Sequence, residues 1–209
     1  MKVSSAPAIS TGFMAIACLS GFSTANAEAL WQDASISYLK GQHYRLGSAT
    51  QEIITFEHTA ATTWGDSFFF LDHAREKDGV RTNYAEWAPR WSANKLTGDN
   101  YQFGIVSDLL FSTTIEMSEQ QTNLLYGVGA DFSVPGFQYM QLNAYRRVNE
   151  QMDDNWQLTG TWGVPFQFAG AEFMFDGFFD WSNTTKDQRS VFTNNIQLKW
   201  DLKNSLSIS

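Results

Sequence analysis

The strongest constraint on the fold is an alternation of apolar and polar residues between Leu124 and Tyr145. Every second residue from Leu124 to Val134 is apolar or aromatic, whereas the residues between them are mostly glycine, aspartate and serine. After Pro135 and Gly136 the alternation resumes and continues to Tyr145. A period of two is that of a β-strand, whose side chains point alternately to opposite faces. The segment therefore predicts a hairpin with one apolar face and one small, polar face.

The same period recurs through most of the chain, with Gly, Pro, Asn and Asp between the periodic segments. It predicts ten strands, near residues 34–41, 51–61, 66–72, 83–93, 102–116, 123–134, 137–148, 156–164, 171–181 and 191–200. Most of these are longer than the usual globular strand of about 5–6 residues. They suit the roughly 9–11 tilted residues with which a strand crosses a bilayer.

The N-terminus has the features of a secretory signal. Lys2 precedes a short apolar stretch at 12–17, and Ala25, Asn26 and Ala27 form a small-x-small cleavage site. The sequence therefore predicts a cleaved signal peptide over 1–27 and one β-barrel domain over 28–209. Because Cys18 is the only cysteine and lies in the predicted signal, we expect no disulfide in the exported chain.

The charge balance and the histidines exclude several classes of function. With 14 Lys and Arg against 22 Asp and Glu, the net charge of −8 argues against a nucleic-acid partner. His43, His58 and His73 stand in no familiar ligand spacing and in no Ser-His motif. The sequence therefore predicts a protein that is not an enzyme and holds no metal or other cofactor.

The connections between the predicted strands fall into two sets. Short links with little charge lie at 62–65, 135–136 and 165–170, and longer charged stretches lie at 73–82, 149–155 and 182–190. Short turns at one end and polar loops at the other are typical of an outer-membrane barrel, with the turns in the periplasm. The alternation of the connections therefore favours an antiparallel transmembrane β-barrel.

The chemistry of the two faces supports the same fold. The polar face of the hairpin carries Gly127, Gly129, Gln141 and Asn143, which suit a confined, wet interior better than open water. A column of large aromatic residues shares one face of the ninth strand, namely Phe173, Phe175, Phe179 and Trp181. Such a column needs hydrocarbon or a deep core. A soluble periplasmic barrel or sandwich that binds a ligand remains the alternative.

Residues 86–104, EWAPRWSANKLTGDNYQFG, resemble the nucleoside-specific channel-forming Tsx family, including its OmpK-type relatives. The family carries a strand of the form acidic-x-x-Pro-Arg-aromatic-Ser, followed by Lys-Leu-Thr and a turn. The matching residues are Glu86, Pro89, Arg90, Trp91, Ser92, Lys95, Leu96 and Thr97. The resemblance continues through LLYGVGADF and FFDWSN and extends over about 31–200.

The resemblance implies a narrow outer-membrane barrel that passes nucleosides by facilitated diffusion and performs no chemistry on them. It also implies twelve strands and a last strand that ends in an aromatic residue, whereas Trp200 is followed only by DLKNSLSIS. Two interpretations stay open: the chain is truncated at its C-terminus, or ten strands close alone. Besides membrane lipid and nucleosides, the expected partners include a phage or colicin at the external loops, which is the alternative role.

A pore that selects nucleosides should combine inward aromatic rings, for the base, with carboxylates, amides and arginine, for the sugar. If Phe69 and Leu71 face lipid, the lumen candidates are Phe68, Phe70, Asp72, Glu86, Arg90, Tyr145, Arg147, Glu172, Asp176 and Phe178. Any barrel lumen needs a polar lining, and a pair such as Glu86 with Arg90 would brace the wall. The third strand is apolar on both faces, so a slip of one residue would reverse its assignment.

Overall fold

The computed structural model describes residues 28–42 and 48–201. The predicted signal peptide, Cys18, His43 and the residues after Asp201 lie outside the described residues. The strands are β1 Ala29–Gln42, β2 Thr50–Thr62, β3 Gly65–Glu76, β4 Arg81–Ser92, β5 Val106–Ser118, β6 Thr122–Phe132, β7 Tyr139–Val148, β8 Asn155–Phe168, β9 Ala171–Ser182 and β10 Val191–Trp200. One short helix, α1 Ala93–Thr97, follows β4. No helix among the described residues is long and apolar enough to span a membrane.

The ten strands form a single antiparallel sheet in chain order, so each strand pairs with its sequence neighbours. The sheet is strongly curled into a half-barrel, which confirms the predicted all-β fold and the number of strands. Within the described ranges β1 and β10 are the two edges and do not pair with each other. In hydrocarbon such edges need a pairing partner, because their free N–H and C=O groups have no water to bind.

The register gives the sheet two chemically different faces. The inner face holds polar and buried side chains, among them Arg90 at 4% exposure and Tyr145 at 3%. The outer face leaves large apolar side chains exposed, including Trp87, Val128 and Trp156. A soluble sandwich would cover these side chains with a second sheet, and the described residues form one sheet only. The outer face therefore suits contact with lipid.

Aromatic clusters mark one end of the outer face. We call this the turn end, where β2–β3, β4–β5, β6–β7 and β8–β9 are connected, and the opposite end the loop end. At the turn end Trp91 lies 5.8 Å from Trp64 and 5.7 Å from Phe111, ring centroid to centroid. Phe173 likewise stacks at 5.4 Å on Phe166. Aromatic rings at a strand end are typical of a girdle at the membrane interface.

The predicted loop bounds were partly wrong. The predicted loop at 73–82 is reduced to 77–80, because β3 continues to Glu76 and β4 begins at Arg81. The predicted link at 165–170 is reduced to Ala169 and Gly170, both with positive φ, since β8 continues through its proline. The longest described connection, 93–105, lies at the turn end and contains α1. Loop length alone therefore does not distinguish the two ends, but charge does, because most charged residues of the described connections lie at the loop end, as in the external loops of an outer-membrane barrel.

Candidate functional site

The register places all ten candidate residues on the inner face. On β3, Phe68 lies opposite Ala88 and Phe70 opposite Glu86, while Phe69 and Leu71 lie on the outer face. The remaining candidates follow the same parity, from Glu86 and Arg90 on β4 to Tyr145 and Arg147 on β7 and to Glu172, Asp176 and Phe178 on β9. The inward face of β3, which the sequence left open, therefore carries Asp66 and Asp72.

Three aromatic rings form a contiguous group on this face, which we call the aromatic cluster: Phe68, Phe70 and Tyr84. Phe70 lies 6.0 Å from Phe68 and 5.8 Å from Tyr84, and both ring pairs are tilted. In the register Phe70 also stands between two carboxylates, Glu57 on β2 and Glu86 on β4. An apolar surface flanked by acceptors on both sides can contact a flat ring and receive hydrogen bonds from hydroxyl groups.

The two carboxylates beside the cluster are each held through one oxygen. The Tyr84 hydroxyl donates to Oε1 of Glu86 at 2.6 Å, and the Ser35 hydroxyl donates to Oε2 of Glu57 at 2.9 Å. The expected pair between Glu86 and Arg90 is not formed. The two residues are four apart on one strand, about 13 Å along it, and Arg90 has closer partners on neighbouring strands.

Arg90 is fully engaged with two carboxylates. Its Nε and Nη2 donate to Asp66 at 2.8 and 2.5 Å, and its Nη1 donates to Asp131 at 2.9 Å. Asp66 lies directly opposite on β3, whereas Asp131 comes from β6 and is reached across β5. The sequence pattern does not indicate either aspartate as a partner of Arg90, although Asp131 occupies an inward position of its strand. Arg90 therefore braces the wall.

A second charged group lies nearer the loop end. The Arg147 guanidinium donates through Nη2 to Oε2 of Glu116 at 2.5 Å, and the Asn123 amide donates to the same oxygen at 2.9 Å. Glu116 stands directly opposite Glu86, so Arg147 offsets the repulsion between two inward carboxylates. The sequence does not indicate Glu116 as a candidate, because nothing in its own strand points to a partner two strands away.

The candidates on β9 differ in exposure, since Asp176 is buried whereas Phe178 is half-buried. Lys199 donates to Oδ2 of Asp176 at 2.5 Å, while the buried Oδ1 of Asp176 has no hydrogen-bond partner among the described residues. Phe178 lies between Thr161 and Asn195 in the register. Tyr145, by contrast, is packed into the wall opposite Gly127. The inner face thus offers carboxylates and rings for solute contact on β3, β4 and β9.

No group of three or more His, Cys, Asp or Glu among the described residues could hold a metal ion. The arrangement is one of fixed charges and rings along a concave face. It can orient a neutral polar solute, because its cations are neutralised by carboxylates and its exposed acceptors are acidic.

Comparison with known proteins agrees with this geometry. The sequence profile described as "Nucleoside-specific channel-forming protein, Tsx" matches residues 29–206. "Outer membrane protein OmpK" of Vibrio parahaemolyticus is 30% identical over 125 residues, which are 57% of this chain and 48% of that protein. A second OmpK, of Vibrio parahaemolyticus serotype O3:K6 (strain RIMD 2210633), is 28% identical over 135 residues, or 59% of this chain and 51% of the relative. The matched segments thus span about half the length of these relatives.

Proposed function

The chain belongs to the Tsx family of nucleoside-specific channel-forming proteins, a family of outer-membrane β-barrels without catalytic activity, and we propose that it forms part of a nucleoside pathway. The pathway runs along the inner face of the curled sheet. Transport is passive, because the fixed charges and rings of this face only lower the free energy of a solute inside the pore.

The aromatic cluster is the observation that supports this proposal most directly. Most inward residues of a barrel are polar, yet Phe68 and Phe70 are successive inward residues of one strand and lie 6.0 Å apart. A base that contacts an aromatic ring gains about 1–3 kcal/mol where such stacking has been measured. A row of rings would therefore favour a solute with a flat base over a sugar of the same size.

The carboxylates explain how the sugar half would be held. Glu57 and Glu86 flank Phe70, and each carboxylate has a second oxygen that no described contact occupies. Ribose hydroxyl groups are donors and would bind such oxygens. We further propose that Asp72 acts in the same way, and that the half-buried ring of Phe178 contributes a second contact on β9, beside the buried Asp176 that Lys199 holds. Inward acidity would also disfavour phosphorylated solutes.

The role of the paired arginines is different. Arg90 and Arg147 are both bound by carboxylates of the wall, so we propose that they position the lining and do not hold the solute directly. Tyr145, at 3% exposure, belongs with them. Glu172 stands near the turn end, where it would act at the exit of the pathway.

The test is solute flux into liposomes that contain the purified chain. We expect a nucleoside to enter faster than a neutral sugar of similar size. Equal flux of the two solutes, or flux of neither, would refute selective transport by this chain. A chain that needs further strands to form a pore would give no flux of either solute. Circular dichroism in the same liposomes would show whether such a chain is folded.

Export is a separate proposal. We propose that residues 1–27 form a signal peptide that is cleaved after Ala27, because the small-x-small pattern stands two residues before β1. N-terminal sequencing of the protein recovered from membranes should begin at Glu28. A first residue of Met1 would contradict it.

A further inference from the structure

Four charged residues form one cross-strand row at the loop end of the outer face. In the register Lys40 lies opposite Glu52, Glu52 opposite Arg75, and Arg75 opposite Arg81. We call these four residues the basic row. Its three basic residues are exposed, and its net charge is +2 in a chain whose overall charge is −8. The row therefore concentrates positive charge on the side of the sheet that faces lipid.

Neither arginine of the row forms an ion pair among the described residues, and the attraction between Arg75 and Glu52 acts at a longer range than an ion pair. Glu52 is taken by Lys40, whose Nζ lies 2.8 Å from Oε1. None of the six ion pairs found between described residues includes Arg75 or Arg81. Like charges directly opposite in a ladder repel each other, so an external anion would stabilise this pair.

The position of the row matches the depth of lipid headgroups. A second outward row lies two residues closer to the turn end on β1 to β4. An apolar row follows another two residues on, and consists of Ile36, Phe56, Leu71 and Ala85. The row just below the charges is mixed, with Tyr38 and Ile54 beside His73 and Asn83. At about 3.3–3.4 Å per residue, the basic row stands only some 13 Å along the strand from that apolar row. Arginine side chains at this height reach the interface.

We propose that the basic row binds the phosphate groups of the outer-leaflet glycolipid, lipopolysaccharide. The planar guanidinium presents two parallel N–H groups, which match two oxygens of one phosphate, and two adjacent guanidiniums can share one phosphate. The bound phosphate removes the repulsion between Arg75 and Arg81. The inference rests on the membrane location of the family and not on nucleoside passage, since the row lies on the opposite face from the lumen.

The chain offers a matched control on the same face and at the same end. Arg146 on β7 also points outward, but its Nη2 lies 3.2 Å from Asp154 and its guanidinium lies 5.6 Å from the Trp156 ring. Because that charge already has partners, phosphate should gain little by binding there. Arg146→Gln therefore removes an outward arginine without removing the proposed site.

The experiment measures thermal unfolding of the purified, refolded full chain in neutral detergent during titration with lipopolysaccharide. We expect a rise in Tm that is saturable, weakens with added salt, and is absent with lipopolysaccharide whose phosphates have been removed. The variant with both Arg75→Gln and Arg81→Gln should bind about thirtyfold more weakly. Arg146→Gln should bind as the unaltered chain does.

Folding of the variants is checked by the same measurement without lipid. Relief of the arginine repulsion predicts that the double variant is at least as stable as the unaltered chain in neutral detergent. An undiminished Tm rise in that variant would overturn the proposal. So would an equal rise with dephosphorylated lipid, or an equal loss of affinity in Arg146→Gln, which would indicate general charge attraction.

Discussion

Arg90 on β4 and Asp131 on β6 meet across the intervening strand, with Nη1 and Oδ1 2.9 Å apart. Alternate strands of a sheet lie about 9–10 Å apart, and the long Arg90 side chain spans that distance on the concave inner face. The same guanidinium holds Asp66 on the other side, so one residue ties β3, β4 and β6 together. The pair indicates that the curvature of the sheet is supported from within.

Removal of this brace should destabilise the sheet. In Arg90→Ala two inward carboxylates lose their counterion, and the loss of one partner from a buried pair costs about 3–5 kcal/mol. We expect about 3 kcal/mol, the lower end, because Asp66 and Asp131 keep side-chain exposures of 30% and 28%. Urea unfolding of the protein in lipid vesicles measures the change.

An exposed ion pair provides the control for that measurement. Lys40 pairs with Glu52 at 2.8 Å, but its side chain is 62% exposed. Lys40→Ala should therefore destabilise the protein far less than Arg90→Ala, because water and salt screen an exposed ion pair. Equal losses for the two variants would show that Arg90 is not a brace.

Gly127 should tolerate no larger residue. A Cβ at this position would lie 1.9 Å from the Ala144 carbonyl oxygen on β7, so the two strands could not keep their register. Gly127→Ala should reduce the folded fraction recovered in vesicles, assayed by the mobility shift between heated and unheated protein.

Gly136 is the matched control because it lies in the turn of the same hairpin. A Cβ there meets nothing within 4 Å, and only its φ of +88° opposes a side chain. Gly136→Ala should cost about 1 kcal/mol and leave the folded fraction high. A Gly127→Ala protein that folds as well as this control would contradict the close approach of β6 and β7.

Selectivity should depend on the inner ring and not on its outer neighbour. Phe70→Ala removes the centre of the aromatic cluster, whereas Phe69→Ala removes a ring that faces outward beside Phe56. The ratio of nucleoside to sugar flux should fall about tenfold in Phe70→Ala and stay unchanged in Phe69→Ala. The same fall in both variants would mean that the rings act through stability of the wall.

Much of the fold could be predicted from the sequence because the period of two is a local property. The alternation after Leu124 indicates which side of β6 faces inward, and the structure confirms it. The strand bounds were less predictable. Arg75 and Arg81 look like loop residues, yet they extend β3 and β4 beyond the membrane band, where charge is compatible with a strand.

The contacts of the candidate site were less predictable than its faces. The alternation of inward and outward positions along β4 predicts that Glu86 and Arg90 both face inward. It does not indicate which residues of other strands lie opposite them. Register and curl decide that Arg90 binds Asp66 and Asp131 and that Arg147 binds Glu116. A sequence pattern therefore predicts a lining, whereas the partners within it depend on tertiary structure.

If one face of β3 lines water and the other faces lipid, a cysteine scan along that strand will separate the two. Single cysteines at Phe68, Phe70, Asp72, Phe69 and Leu71 are introduced into a Cys18→Ser chain in vesicles and are exposed to a water-soluble maleimide and to a quencher attached to lipid tails. Positions 68, 70 and 72 should react with the maleimide, and labels at 69 and 71 should be quenched by lipid. Equal reaction and equal quenching at all five positions would contradict the account.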